Sequence, residues 1–369
     1  MKINLVSGFL GSGKTTAIEH ACRELLAAGI RVGVIVNDQG ERLVDGEFFE
    51  SLGIPNRQVT NGCFCCNYNH LDDTIQSLLE AVRPEVIFAE AVGSCTDMVA
   101  TVMKPLQEYG GDITVTMSVL TDVRVLYMQL RHNTLLFDER VSYIYYKQLE
   151  EAGIIVVNKI DLIDGGQLEE LRGVMGRRYP DKVILYQDSV AAGGVSQWMA
   201  AVGAFPVAGA SVGVFSPVGI LPSLEIDYGI YGAGEALLAW LDQELVIYDP
   251  GERAVEVAVA LTRRIDERIR ECGYPIGHLK FLVDGKTKIS YTVLSEAAAG
   301  TGAVDAAAAA RMESVALLIN ARVQAEPEVL SRLVAEVVSE VEIGYRCKIL
   351  TKKTASFQPG FPRPTYRKE

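Results

Sequence analysis

The stretch "GFLGSGKT", Gly8 to Thr15, constrains the fold of this chain more than any other feature. A short apolar run, "KINLVS" (residues 2–7), precedes it, and a segment with helical spacing that stops at Gly29 follows it. Glycines here let backbone N–H groups turn toward phosphate oxygens, and the N-terminus of the next helix adds positive potential. Lys14 would reach the β- and γ-phosphates, while the Thr15 hydroxyl would ligate Mg²⁺. The pattern therefore predicts a phosphate-binding loop between a strand and a helix.

Apolar runs alternate with helical segments in the first half of the chain. Runs such as "RVGVIVN" (31–37) and "PEVIFAE" (84–90) are continuously apolar at their centres, as in parallel strands covered on both faces. This alternation predicts an α/β fold, a doubly wound P-loop NTPase domain with a mostly parallel sheet, at 1–202. A Gly- and Pro-rich linker at 203–222 and a smaller α+β domain at 223–369, with an extended Pro-containing tail, would follow. For the second domain we predict strands at 244–248, within 278–294, at 315–323 and at 345–351, and helices at 252–271 and 327–340.

Composition excludes several functional classes. A formal charge of -12 argues against non-specific nucleic-acid binding, which depends on neutralising phosphates with Lys and Arg. No apolar run approaches the roughly 18 to 20 residues that span a membrane, and "MKINLVSG" is too short to be a secretory signal. We therefore expect a cytoplasmic protein without nucleic-acid or membrane partners. Seven cysteines, an odd number, do not suggest a disulfide framework in such a chain.

The sequence "NKID" (158–161) indicates which base is bound. The Asp161 carboxylate can accept hydrogen bonds from N1–H and the 2-amino group of guanine, a pair of donors that adenine lacks. Asn158 and Lys159 would brace the base and the loop, and Ser189 in "QDSVA" is a further candidate contact. Together with the upstream phosphate loop, this pattern predicts GTP rather than ATP.

Two residues after a predicted strand complete the nucleotide site. Glu90 ends "PEVIFAE", where a carboxylate either holds Mg²⁺ or merely caps the strand, and Gly93 can offer its N–H to the γ-phosphate. We predict that Thr15 and Glu90 hold Mg²⁺. The predicted nucleotide-binding residues are Gly8, Gly11, Ser12, Gly13, Lys14, Thr15, Thr16, Gly93, Asn158, Lys159, Asp161 and Ser189, and the predicted catalytic residues are Lys14, Thr15, Asp38 and Glu90.

The motifs "GFLGSGKTT", "VNDQGE", "NGCFCC", "EAVG" and "NKID", in this order, resemble the CobW-like group of P-loop GTPases over about residues 1–200. That group includes proposed metallochaperones and proteins associated with cobalamin synthesis. The resemblance implies metal-linked GTP hydrolysis, with the thiolates of Cys63, Cys65 and Cys66 among the ligands of Zn²⁺ or Co²⁺. It also implies a client metalloenzyme that the C-terminal domain contacts.

Two positions depart from the pattern of that group. The group more often has Glu where this chain has Asp38, and an aromatic residue where it has Gln39, whereas Glu41 keeps the acidic position. Asp38 would place Mg²⁺ or the attacking water from the loop after the second strand. Only four His occur and they do not cluster, so high-capacity zinc storage is not expected.

The residues of the cysteine cluster, taken alone, are compatible with several functions. A disulfide between Cys63 and Cys65, or between neighbours, would have difficult geometry and little loop entropy to gain. If the segment is extended, Cys63 and Cys65 share a face and Cys66 packs inside. Two thiolates cannot complete a tetrahedral site, so a further ligand is needed. Zn²⁺ or Co²⁺ suits thiolates joined by nitrogen or oxygen, and buried structural cysteines and redox sensing are the alternatives. The candidates for the further ligand are Asp38, Glu41 and His70, of which we select Glu41.

The leading hypothesis is a GTPase whose nucleotide state is coupled to binding and delivery of a divalent metal, or to activation of a metal- or corrinoid-dependent enzyme. No convincing catalytic base appears, so slow intrinsic hydrolysis is expected, stimulated by metal or a partner. A GTP-switch adaptor with structural cysteines is the alternative, and "NKID" disfavours a small-molecule kinase. A homodimer is left open.

Overall fold

The computed structural model describes residues 1–40, 43–108, 113–132, 134–204, 221–295 and 310–369. They form two compact units. The first comprises Met1–Gln39, Gly53–Tyr231 and Pro362–Glu369, and the second comprises Gly40–Leu52 and Gly232–Phe361. Most of the predicted linker, at 205–220, and residues 296–309 lie outside the described residues, and the predicted domain limits stay predictions.

The helices are, in chain order, α1 Lys14–Ala27, α2 Val44–Ser51, α3 Tyr68–Val82, α4 Lys104–Gln107, α5 Val123–Arg131, α6 Glu139–Glu151, α7 Gly165–Arg178, α8 Ser196–Ala201, α9 Tyr228–Ala236, α10 Ala254–Glu271, α11 Pro327–Tyr345, with a π-helical turn at Val99–Met103 and a 3₁₀ turn at Ile160–Leu162. The strands are β1 Lys2–Ser7, β2 Val32–Asn37, β3 Asn56–Val59, β4 Val86–Glu90, β5 Thr114–Asp122, β6 Ile154–Asn158, β7 Val183–Gln187, β8 Leu238–Tyr248, β9 Ile276–Val283, β10 Thr287–Tyr291, β11 Ser314–Gln324 and β12 Lys348–Phe357. No helix in the described part of the chain is long and apolar enough to cross a membrane.

The first unit contains a seven-stranded sheet in the order β3-β2-β4-β1-β5-β6-β7. Every pair of neighbours is parallel, and the inner strands β2, β4 and β6 are buried along their whole length. The predicted doubly wound α/β class is thus confirmed. In such sheets the loops after the strands gather at one edge, where ligands bind. The predicted nucleotide motifs follow β1, β2, β4 and β6, so they meet at that edge.

β3 was not predicted, because its sequence "NRQV" is polar and only Val59 is buried. It pairs with β2 alone and forms the edge of the sheet. The cysteine segment begins shortly after β3, so this edge strand decides where the thiols lie.

The second unit contains a five-stranded antiparallel sheet in the order β10-β9-β11-β8-β12. α10 and α11 bury apolar side chains against it, including Ile265 and Val334, in one aliphatic core. The predicted α+β class is confirmed, but β8 begins six residues before the predicted strand (238 against 244) and the last helix runs to Tyr345.

Polar groups of the second unit are buried in pairs. Arg322 is fully buried, with its guanidinium 2.8 Å from Asp242 Oδ1 and 3.8 Å from the centroid of the Trp240 ring. At the start of α2, the Asp45 carboxylate accepts hydrogen bonds from Lys280 and, at 2.6 Å, from Lys288. Buried charges are tolerated because each has an opposite charge within hydrogen-bond distance.

Candidate functional site

The phosphate loop owes its shape to glycines at positions that no other residue would fit. Gly8 has φ +132°, and a Cβ there would lie 2.1 Å from the carbonyl oxygen of Leu120. Gly13 has φ +90°, and its Cβ would lie 2.4 Å from the Asn158 side-chain nitrogen. Gly11 also has a positive φ, 76°. The loop therefore packs tightly on β5 and on the end of β6, and glycine is required at these positions.

Lys14 and Ser12 carry polar atoms suited to phosphate. The buried Lys14 ammonium donates to the carbonyls of Gly8 at 2.7 Å and Phe9 at 3.3 Å, which hold it over the loop. The Ser12 side chain is buried, and its hydroxyl has no hydrogen-bond partner among the described residues. A buried hydroxyl of this kind gains a partner when a ligand oxygen arrives. Thr16, also predicted, is half-buried in the first turn of α1.

The two side chains predicted to hold Mg²⁺ already touch. Thr15 Oγ1 donates to Glu90 Oε1 at 2.9 Å, and both residues are buried. Gly93 follows on the same loop, and a Cβ there would lie 2.7 Å from the Leu10 side chain and 3.0 Å from its backbone nitrogen. The loop after β4 is therefore pressed against the phosphate loop at Gly93.

The "NKID" segment braces the phosphate loop through two of its residues. Asn158 donates to the Ser12 carbonyl at 3.0 Å, and its own side-chain oxygen accepts from the Ser189 hydroxyl at 2.7 Å. Lys159, with φ +63°, donates to the Gly11 carbonyl at 2.7 Å. Asp161 is exposed on the following 3₁₀ turn. In these positions the Asp161 carboxylate is accessible to a nucleotide base, while Asn158 and Lys159 hold the phosphate loop.

Sequence reasoning missed Asp122, at the end of β5. Its carboxylate accepts from Lys159 at 2.9 Å and from the Arg124 guanidinium at 2.8 Å. Burial opposes ionisation of Asp122, but the hydrogen bonds from Arg124 and the charge of Lys159 hold its pKa below the usual value. A carboxylate at the end of an apolar strand, "VLTD", was the available signal.

Of the predicted acidic residues after β2, one is described. Asp38 is half-buried, and its backbone N–H donates to the Val59 carbonyl at 3.2 Å. Glu41, the predicted ligand of Zn²⁺ or Co²⁺, lies outside the described residues.

The thiols of Cys63, Cys65 and Cys66 converge. Their sulphur atoms all lie within 4.8 Å of one another, with Cys63 Sγ 2.7 Å and Cys66 Sγ 3.8 Å from Cys65 Sγ. The expectation of an extended segment with Cys66 packed inside was wrong. The carbonyl of Cys63 accepts from the N–H groups of Cys66 at 3.1 Å and Asn67 at 2.9 Å, so the chain turns. The turn brings Cys66 to the same side as the other two and leaves it half-buried.

Hydrogen bonds within the cluster give the three thiols different pKa values. Hydrogen bonds from the thiols of Cys65, Cys66 and Cys95 hold the pKa of Cys63 well below its usual range. The pKa of Cys65 is raised by its hydrogen bond to Cys63, and that of Cys66 rises to about 11, also chiefly through a hydrogen bond to Cys63. Cys63 is therefore the most acidic thiol of the three.

Asn37, which sequence reasoning also missed, shapes this turn from the end of β2. Its side-chain nitrogen donates to the carbonyls of Val59 at 2.9 Å and Gly62 at 2.7 Å, and its oxygen accepts from the Phe64 N–H at 2.8 Å. Asn37 is buried and immediately precedes Asp38. The end of β2 is thus joined to the cysteine turn by two hydrogen bonds and to the end of β3 by a third.

The chain's last eight residues, 362–369, lie against the cysteine turn. The backbone N–H of Thr365 donates to the Cys65 carbonyl at 2.8 Å, and the N–H of Arg363 donates to Cys66 Sγ at 3.2 Å. Tyr366 packs edge-on against Tyr68, with ring centroids 5.2 Å apart. The tail sequence did not predict these contacts, of which the one between Arg363 and Cys66 joins residues 297 positions apart.

His70, a predicted candidate ligand, is exposed on α3. In the described part of the chain, the group of His, Cys, Asp and Glu side chains arranged to hold a cation comprises the three cysteines. Three thiols supply most of a tetrahedral site, and soft sulphur ligands favour Zn²⁺ or a similar ion over Mg²⁺.

Taken together, the parallel sheet, the glycine-shaped loop and the adjoining Thr15 and Glu90 define a P-loop nucleotide-binding protein with a thiol cluster at the edge of its sheet. Residues 2–185 match the family model "CobW/HypB/UreG, nucleotide-binding domain", and the chain belongs to that family.

The chain is also similar to three curated proteins. It is 29% identical over 199 residues to a zinc chaperone CobW of Sinorhizobium sp, covering 47% of this chain and 55% of that protein. It is 32% identical over 168 residues to the zinc chaperone YeiR of Escherichia coli, covering 43% and 47%. It is 26% identical over 219 residues to a zinc chaperone CobW of Pseudomonas aeruginosa, covering 51% and 56%. The chain thus spans about half the length of the curated relatives it matches.

Proposed function

We propose that this protein binds and hydrolyses GTP with Mg²⁺ and couples its nucleotide state to binding and delivery of a divalent metal at Cys63, Cys65 and Cys66. One observation carries the proposal: three convergent thiols lie in the same compact unit as the phosphate loop. Asn37 supports it, because it joins the cysteine turn to the loop that carries Asp38.

The nucleotide roles follow from chemistry at each position. Lys14 and the backbone amides of the phosphate loop would neutralise phosphate charge, and Thr15 and Glu90 would hold Mg²⁺. Asp38 would orient Mg²⁺ or the attacking water, Gly93 would contact the γ-phosphate, and Asp161 would accept from guanine. We expect slow intrinsic hydrolysis that metal or a partner stimulates.

Zinc is the first candidate for the metal. The three relatives above are named zinc chaperones, and thiolate sites of this kind also accept Co²⁺. Mg²⁺ would stay with GTP, because it prefers oxygen ligands. We propose that the second unit contacts a client metalloenzyme in the cytoplasm and that the GTP-bound and GDP-bound proteins differ in metal affinity.

A GTP-switch adaptor with structural cysteines is the second candidate. It is favoured by the burial of Cys63 and Cys65 and by the tail hydrogen bonds at the turn, since buried cysteines often serve only packing. Under that function the cluster would hold its shape without metal.

Titration of the reduced protein with Zn²⁺ and with Co²⁺ distinguishes the two candidate functions. It should be run with a GTP analogue, with GDP and without nucleotide. We expect tight binding whose affinity changes with the nucleotide, and Cys65→Ser should abolish it, because the buried central thiol contacts both others. Cys272→Ser, which alters an exposed cysteine of the second unit, is the matched control and should bind as the unaltered protein does. Identical affinity in all three nucleotide conditions, or full binding by Cys65→Ser, would contradict the proposal.

A further inference from the structure

A buried glutamine of α6 holds the loop that follows β4. The side-chain nitrogen of Gln148 donates to the carbonyls of Gly93 at 3.0 Å and Cys95 at 2.8 Å, and the side chain is fully buried. These two contacts match the two N–H donors of a glutamine amide. Between the two carbonyls the chain turns, because the Cys95 N–H donates to the Val92 carbonyl at 3.0 Å. Gln148 thus fixes the path of the backbone at Gly93.

Glu151 holds the next part of the same loop. It lies three residues after Gln148 and therefore on the same face of α6. Its carboxylate accepts from the Thr96 hydroxyl at 3.1 Å and from the Val99 N–H at 3.3 Å. Gln148 therefore provides the contact of α6 with Gly93, while Glu151 holds the loop further on.

The same helix also contacts the phosphate loop. The Tyr145 ring packs edge-on against the Phe9 ring, with centroids 5.9 Å apart, and the Tyr145 hydroxyl is 2.6 Å from Thr121 Oγ1 on β5. Gly93 lies so close to the phosphate loop that a Cβ would be 3.0 Å from the Leu10 backbone nitrogen. α6 therefore fixes Gly93 and the phosphate loop relative to each other.

Further along, the loop after β4 contacts the tail. The Asp97 carboxylate accepts from Arg367 Nε at 2.8 Å. The tail in turn donates from the Thr365 N–H to the Cys65 carbonyl at 2.8 Å. The loop that begins near Gly93 is therefore connected to the segment that lies on the cysteine turn.

We propose that Gln148 is a positioning residue of the γ-phosphate site and sets its preference for GTP over GDP. This inference rests on the proposed function, which assigns the γ-phosphate contact to Gly93. A donor at such a site acts fully only when its surroundings hold it within about 0.5 Å of the productive position. By fixing the Gly93 carbonyl, Gln148 holds the Gly93 backbone N–H in place for the γ-phosphate. GDP has no γ-phosphate, so its binding does not depend on Gln148.

Nucleotide binding by Gln148→Met in the full chain tests the proposal. Methionine keeps the length of the side chain but has no N–H, so both hydrogen bonds to the loop are lost. The affinity for a β,γ-imido analogue of GTP should fall about tenfold, because the net loss of one to two hydrogen bonds corresponds to about that factor. The affinity for GDP should stay within about twofold, and kcat should fall by about 10- to 100-fold, as for a misplaced group near reacting atoms. Titration with fluorescent nucleotides and steady-state phosphate release measure these quantities.

Gln129→Met is the matched control. Gln129 is a buried glutamine on α5 of the same compact unit, so the substitution again replaces a buried amide with a thioether. The ratio of the affinities for the analogue and for GDP should equal that of the unaltered protein. A merely structural role of Gln148 would weaken the binding of both nucleotides and leave this ratio unchanged.

An unchanged ratio in Gln148→Met would therefore overturn the positioning role. If that variant does not fold, Gln148→Asn takes its place, because its amide is one methylene shorter and cannot reach both carbonyls. The same ratio then decides. Failure of the unaltered protein to hydrolyse GTP, or equal affinities for ATP and GTP, would instead overturn the proposed function.

Discussion

The phosphate loop and the thiol cluster lie at the same edge of one parallel sheet, but they are built in opposite ways. Eight consecutive residues make the loop, and its glycines set the backbone shape against β5 and β6. The thiols hold their arrangement through groups from distant segments: Asn37 at the end of β2 and the tail around Thr365. A site made from contiguous residues tolerates change around it, whereas an assembled site depends on each contributor.

The largest effect is expected at the contiguous site. Lys14→Ala removes the ammonium that the Gly8 and Phe9 carbonyls hold over the loop, and GTP hydrolysis should fall by about 10²- to 10³-fold. Phosphate release under saturating GTP measures the loss. Zn²⁺ affinity without nucleotide should be unchanged, because Lys14 has no part in the cysteine turn.

Lys147→Ala, which alters a half-buried lysine paired with Glu150 on α6, is the control and should hydrolyse GTP normally. A loss of metal affinity in nucleotide-free Lys14→Ala would show that the two sites are not separately built.

The assembled site should respond strongly to a residue that touches no sulphur. Asn37→Ala removes two hydrogen bonds to the cysteine turn and a third to the end of β3 at Val59, and Zn²⁺ affinity should fall by about 10- to 100-fold. Chelator competition measures it. Asn56→Ala, on the neighbouring strand β3, removes a hydrogen bond to the Ile54 carbonyl and should leave affinity unchanged. Equal affinities of the two variants would mean that the turn keeps its shape unaided.

The tail should control the rate of exchange more than the affinity. Removing residues 362–369 deletes the N–H donors to the Cys65 carbonyl and to Cys66 Sγ, and exposes the turn. Loss of hydrogen bonds worth about 1 kcal/mol each should speed metal transfer to a chelator by roughly tenfold.

Arg363→Ala keeps the backbone N–H at Cys66 and should exchange like the full chain, which separates the backbone contact from the arginine side chain. Unchanged exchange after removal of the tail would mean that it does not cover the metal.

The same contrast explains how far the sequence could predict this molecule. The phosphate loop, the parallel strands and "NKID" are local patterns with one dominant physical reason each, and the structure places the strands within a few residues of the prediction. β3 was not predicted because an edge strand buries few apolar side chains. The turn at Cys63 was not predicted because the rule that alternate side chains share a face applies only to an extended chain.

Asn37 and the tail could not be predicted for a different reason. Each acts through a contact that exists only once the fold has brought separate segments together. A single amide or a short tail segment carries no sign of its partner in the sequence, so composition and spacing do not indicate either contact.

Glu151 provides the one expected effect that depends on pH. It is buried at the end of α6, where its carboxylate accepts from the Thr96 hydroxyl at 3.1 Å and from the Val99 N–H at 3.3 Å. Burial, opposed by the hydrogen bond from Val99, raises its pKa from 4.5 to about 8. The folded protein therefore holds a proton that the unfolded chain releases near its lower pKa.

The sign of the pH dependence follows from that difference. The contribution of Glu151 to stability is complete below about pH 4.5, declines as the pH rises, and is lost above about pH 8. Glu151→Gln keeps an oxygen to accept from Thr96 and stays neutral, so its stability relative to the unaltered protein should rise over this window by an amount on the order of a few kcal/mol. Urea unfolding at several pH values measures it.

Glu150→Gln is the matched control, since its side chain is 40% exposed, and its stability should run parallel to that of the unaltered protein. Parallel curves for Glu151→Gln would mean that the segment following Cys95 is held by neutral hydrogen bonds at every pH. A rise confined to pH 5–8 would show that a buried proton helps to hold the loop that joins nucleotide to thiols.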